Sequence, residues 1–299
     1  MNNENAMEPQ WGRRRFLRQL LAAAGAVEAA RLAATPPRRA WGAAAPPPPP
    51  GSPPNKGGDS GITVRPDDPA ISAGAVEFPG LITPLLGYVA APAGGETYPG
   101  ILLIHDADGL AEHVRDVARR LARVGYVALV PDLLSRQGGT AKVGAVAQVV
   151  QAMSRLSVAQ FIQDANTAVR YLEDHPLVSK SRVGMLAFGL GGIFSWYLLT
   201  QNADLKAAAI LYGRVPSSEL WPHFSAAILA IYAANDDHDA GDLTDLDAQM
   251  KKAGRAWGYK VEPKAGAGFF DDTRKTYVPD AAKDAWKMTL DWYQHNLTA

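Results

Sequence analysis

The sequence predicts an α/β protein: a mostly parallel, doubly wound sheet of about eight strands with helices on both faces. Three observations lead there. Uninterrupted apolar runs such as Ile101, Leu102, Leu103 and Ile104 suit strands covered on both sides. Such runs alternate with amphipathic stretches of helical length, which is the rhythm of right-handed βαβ units. Residues 181–199, SRVGMLAFGLGGIFSWYLL, read as a buried strand, a turn punctuated by Gly189, Gly191 and Gly192, and a buried helix.

Residues 75–78 and 85–91 read as two short strands joined around Pro79 and Gly80, an antiparallel opening to the sheet. Residues 101–104 form the next strand, ending in His105, Asp106, Ala107, Asp108 and Gly109. Val114, Val117, Ala118, Leu121 and Val124 follow at helical spacing, with Glu112 early and Arg119, Arg120 and Arg123 late, as the helix dipole favours. Gly125 ends that helix, and 126–130 is the following strand. Val158, Phe161, Ile162, Ala165, Ala168, Val169 and Leu172 mark the helix that leads into the strand–turn–helix elbow. Strands at 206–212 and 227–233, a helix at 246–257, a strand at 259–262 and a helix opening on Pro279 complete a count of about six helices.

The segment ahead of this domain differs in kind. Residues 1–57 hold eight Lys or Arg against three Glu, a net +5, so the remainder carries −5 and nucleic acid is not an expected partner. Arg13, Arg14, Arg15, Phe16, Leu17 and Arg18 precede a weakly apolar stretch at 20–27, and this resembles a twin-arginine export signal over residues 1–45. Export is expected on that basis, with a cytoplasmic protein carrying a basic tail as the alternative. Eight apolar residues are too few to span a bilayer, so no mature membrane anchor is expected. Residues 46–61, PPPPPGSPPNKGGDSG, read as a disordered linker, and the folded domain is expected over 62–299. The chain has no cysteine, which removes disulfides and thiolate chemistry.

Six collinear stretches together resemble the dienelactone hydrolase family of α/β-hydrolases, in particular its twin-arginine-exported branch. They are 98–105 (YPGILLIH), 115–126 (RDVARRLARVGY), 131–136 (PDLLSR), the elbow, 232–236 (YAAND) and 266–273 (GAGFFDDT). The resemblance implies a Cys-Asp-His triad, with serine in some relatives, acting on an ester or lactone. Carried over by position, the nucleophile falls at Gly189, the acid at Asp236 and the base at Ala267, so only the acid is retained. The resemblance further implies that backbone N–H groups of Leu190 and Ala107 form an oxyanion hole. It places Asp106 at an acidic position after the strand end and Arg136 against a substrate carboxylate. A second arginine, shortly after the family's histidine, has no counterpart visible near Asp271.

A triad without nucleophile or base loses about 10⁶ in kcat in a comparable enzyme. The chain therefore reads as a monomeric family member with an impaired hydrolytic centre, a pseudoenzyme that binds a small acid, ester or lactone without a cofactor. Two alternatives stand beside this reading. One is an active ester hydrolase with relocated groups, Ser195 as nucleophile and His105 or His238 as base. The other is a metal site built from the loops holding His105, Asp106 and Asp108 and holding Asp236, Asp237, His238 and Asp239. Asp271 and Asp272 read as turn formers.

Overall fold

The computed structural model describes residues 64–236 and 243–297. The segments read as an export signal, 1–45, and as a linker, 46–61, and the residues Asp237, His238 and Asp239 lie outside the described residues.

The strands are β1 (Ile71–Phe78), β2 (Leu85–Pro92), β3 (Tyr98–Ile104), β4 (Val127–Pro131), β5 (Val178–Phe188), β6 (Leu205–Leu211), β7 (Ala227–Ala233) and β8 (Trp257–Glu262). They form one sheet in the order β1-β2-β4-β3-β5-β6-β7-β8. β2 pairs antiparallel with both β1 and β4, and every other neighbouring pair is parallel. The helices are α1 (Glu112–Arg123), α2 (Thr140–Val143), α3 (Val146–Ser154), α4 (Val158–Glu173), α5 (Gly189–Leu199), α6 (Leu243–Lys252) and α7 (Pro279–Asn296).

Alternation along β3 shows why both sides of the sheet must be covered. Ile101 and Leu103 face a core shared with Val117 and Leu121 of α1 and Ala285 and Tyr293 of α7. Leu102 and Ile104 face the opposite core, shared with Phe161 and Ile162 of α4, Trp196 and Leu198 of α5 and Leu246 of α6. From β3 the chain crosses to β4 on one side and later returns to β5 on the other. The strand order therefore reverses between β3 and β5, and a crevice opens beyond their carboxyl ends.

Several boundaries differ from those read in the sequence. β1 begins at Ile71 rather than residue 75, because residues 71–74 pair with 89–92 despite their weak apolar pattern. The helix expected over 246–257 ends at Lys252, and Trp257 pairs in the sheet with Ile228. α2 and α3 were not expected. The four-residue α2 is seated by a tertiary contact, in which the Asp132 carboxylate accepts from the backbone N–H and the hydroxyl of Thr140, at 2.6 and 2.9 Å.

Candidate active site

The elbow stands in the reversal crevice. β5 ends at Phe188, and Gly189 opens α5 with φ +48°, a left-handed value that glycine adopts without steric cost. Gly191 brings α5 close against the end of β3, where a Cβ would strike the carbonyl oxygen of His105. This close approach is what lets a backbone bend point at the loop after β3.

That loop fills the bend with its own carboxylate. Asp106 Oδ1 accepts from the N–H of Ala107 at 2.7 Å and from the N–H of Leu190 at 2.9 Å. The two donors expected to form an oxyanion hole thus converge on one oxygen, and that oxygen belongs to the chain itself. A Cβ built on Gly189 would collide with the Asp106 carboxylate. Asp106 therefore stands where a nucleophilic side chain would begin.

Beyond Asp106 lies a cavity of about 10 Å³, the room of a single water or ion. Its wall includes Asp106, Asp108, His113, Tyr212, Asp271 and Arg274. Arg274, three positions past Asp271, was not singled out in the sequence. Its guanidinium reaches Asp108 at 2.9 Å, Asp271 at 3.0 Å and Asp106 at 3.3 Å. Burial works to lower its pKa, but the carboxylates of Asp108, Asp106 and Asp271 outweigh burial and raise it, so the charge is permanent. Tyr212, at the end of β6, has φ +42°, the one non-glycine in the left-handed region among the described residues. Burial, then the nearby Asp106 and Asp271, push its phenol well above the usual range, so it stays a neutral hydroxyl. His113 comes from the first turn of α1, in helical phase with the buried face but polar, and only its packing on Phe188 and Phe270 reveals its place.

The other expected residues lie as follows. Asp236 is half-buried in the turn after β7, where its N–H donates to the carbonyl of Ala233. Ala267 is exposed in the loop after β8. Asn235 N–H donates to the carbonyl of Ala265 at 2.9 Å, and a Cβ on Gly268 would sit 3.0 Å from Arg274 Nη1. The loops after β3, β5, β7 and β8 are therefore neighbours, although neither Asp236 nor Ala267 lines the cavity. Arg136, expected against a substrate carboxylate, is instead turned onto Asp164 at 2.7 and 3.1 Å and Gln163 at 2.5 Å. Asp164 is a buried carboxylate on α4 and needs that partner.

The alternative nucleophile and one alternative base are committed elsewhere. Ser195 is fully buried and its hydroxyl donates to the carbonyl of Gly191 at 2.8 Å, as a helical serine does. His105 Nε2 accepts from Leu133 N–H at 3.1 Å, so Nδ1 carries the proton and donates to the carbonyl of Asp106 at 2.8 Å. A histidine with both nitrogens bound to backbone has no lone pair for a substrate or a metal. Phe269 and Phe270 are buried beneath the loop of Ala267.

The profile of the dienelactone hydrolase family matches residues 85–297, which spans the elbow, the loop of Asp106 and the segment through Arg274. The chain belongs to the dienelactone hydrolase family. A Methylorubrum extorquens protein provisionally named carboxymethylenebutenolidase is 31% identical over 244 residues, covering 78% of this chain and 84% of its own. A Yersinia pestis protein with the same provisional name is 27% identical over 243 residues, covering 77% of this chain and 91% of its own. The crystal structure of a provisionally assigned dienelactone hydrolase from Klebsiella pneumoniae superposes with a TM-score of 0.69 at 26% identity, covering 75% of this chain and 99% of that one. As an α/β-hydrolase of this family, the chain resembles ester and lactone hydrolases. Among the described residues no helix is long and apolar enough to cross a membrane.

Proposed function

We propose that this dienelactone hydrolase family member keeps the inherited ester and lactone pocket but hydrolyses poorly, because its attacking group, base and oxyanion hole are all compromised. The observation that carries this reading is Asp106 Oδ1 held by the Ala107 and Leu190 amides, against a glycine at the elbow. Charged hydrogen bonds of this kind are worth about 1.5–3 kcal/mol each, so an uncharged carbonyl competes poorly for the same donors. A ligand enters only with Asp106 rotated away. With Asp106 rotated away, Asp108 and Asp271 still line the cavity beside Arg274, so an ester or lactone carbonyl suits it better than a free carboxylate.

The test compares lactone and activated-ester hydrolysis by the natural chain with that of an Asp106→Gly, Gly189→Cys, Ala267→His triple variant. The natural chain is expected near the uncatalysed rate, and the variant at least about 10³ above it. Turnover by the natural chain at about 1 s⁻¹ or faster would overturn the reading.

The run Arg13, Arg14 and Arg15 ahead of Phe16 and Leu17 further supports export of the folded protein. Replacing all three arginines by lysine is expected to shift the protein from the exported fraction to the cell interior. An unchanged distribution would count against export.

A further inference from the structure

We propose that His113, Asp271 and Asp272 bind one divalent transition-metal ion of the zinc type, at the far wall of the elbow cavity and independent of whether hydrolysis is impaired. The three residues each offer a ligand atom, and these atoms lie within 4.8 Å of one another. His113 Nδ1 is 3.4 Å from Asp271 Oδ1 and 3.6 Å from Asp272 Oδ1. Metal–ligand bonds of about 2.0–2.1 Å in tetrahedral array set ligand atoms about 3.3–3.4 Å apart. The observed separations are close to that, and long for hydrogen bonds.

The second observation is an unmet demand. His113 is 7% exposed and its ring nitrogens make no hydrogen bond of normal length: Nδ1 faces the two carboxylates only across 3.4 and 3.6 Å, and Asp272 Oδ1 is buried with no closer partner. Buried polar atoms are rarely left so. The surrounding arginines aim the carboxylates at this point. Arg120 takes Asp272 Oδ2 at 2.9 Å and Arg274 Nε takes Asp271 Oδ2 at 3.0 Å, which turns each Oδ1 toward the imidazole. Asp271 Oδ1 also accepts from the Thr273 N–H at 2.9 Å and hydroxyl at 2.6 Å, and the hydroxyl proton can rotate away when an ion arrives. His113 and Asp271 also wall the 10 Å³ cavity, which has room for the water that completes four-coordination.

The competing occupant is a proton, which would make His113 an imidazolium between two carboxylates. The two are separated by loading full-length protein with Zn²⁺, dialysing against metal-free buffer and measuring bound metal, and by recording the visible absorption of the Co²⁺ form. About one equivalent per chain is expected, with affinity at least about tenfold weaker in Asp272→Asn and His113→Gln and unchanged in His238→Ala. Asp272→Asn is nearly isosteric, and its thermal melt shows whether it remains folded. Less than about a tenth of an equivalent in the natural chain, equal binding by Asp272→Asn, or loss of binding in His238→Ala would each overturn the site.

Discussion

At Gly189 the backbone and the Asp106 carboxylate fit each other. The residue is left-handed, and the volume above its Cα belongs to the Asp106 carboxylate. Gly189→Ala is expected to cost about 1–2 kcal/mol for the left-handed alanine, and roughly 3–6 kcal/mol more for expelling Asp106 from its two amide bonds. In an Asp106→Gly background only the first part should remain. Chemical denaturation of the four proteins in a double-mutant cycle measures the difference; equal penalties in both backgrounds would show that Asp106 does not occupy the elbow. Glycine at 189 and alanine at 267 were legible as departures from the family's pattern, because each is a local identity within a local motif. Arg274 was not. It lies seven positions beyond Ala267, and only the turn made by Asp271 and Thr273 swings its guanidinium back over Asp106.

The turn joining α4 to β5 sets a limit on acid stability. His175 accepts the Leu177 N–H on Nδ1 at 3.2 Å and is buried, and burial pushes its pKa down to about 4 from 6.5. The unfolded chain therefore binds the extra proton between pH 6.5 and about 4 while the folded chain does not. This contribution to stability is complete above pH 6.5 and falls as pH drops through that window. Denaturant midpoints measured from pH 7 to 4 should fall less steeply for His175→Asn than for the natural chain. Parallel slopes would show that His175 is not the group responsible. The same scale explains which elements were readable. α4 announces itself by period and α5 by a continuous apolar stretch behind the elbow glycines, whereas α3 buries only Val149 and Met153, and α2 depends on Asp132.

For the whole molecule, composition and periodicity were enough to read a parallel sheet covered on both faces and the elbow, and the family resemblance singled out glycine at 189 and alanine at 267. These follow from neighbouring residues and their spacing, which the chain carries whether or not it is folded. The occupancy of the elbow is a different kind of fact. Leu190 and the carboxylate it holds are separated by 84 positions, and the reversal of strand order between β3 and β5 is what brings their loops together. The meeting of His113 with Asp271 and Asp272, and the turning of Arg136 onto Asp164, likewise required folding. Such contacts depend on how helices seat on the sheet, since a side chain's partner is chosen by packed volume and charge around it rather than by its place along the chain.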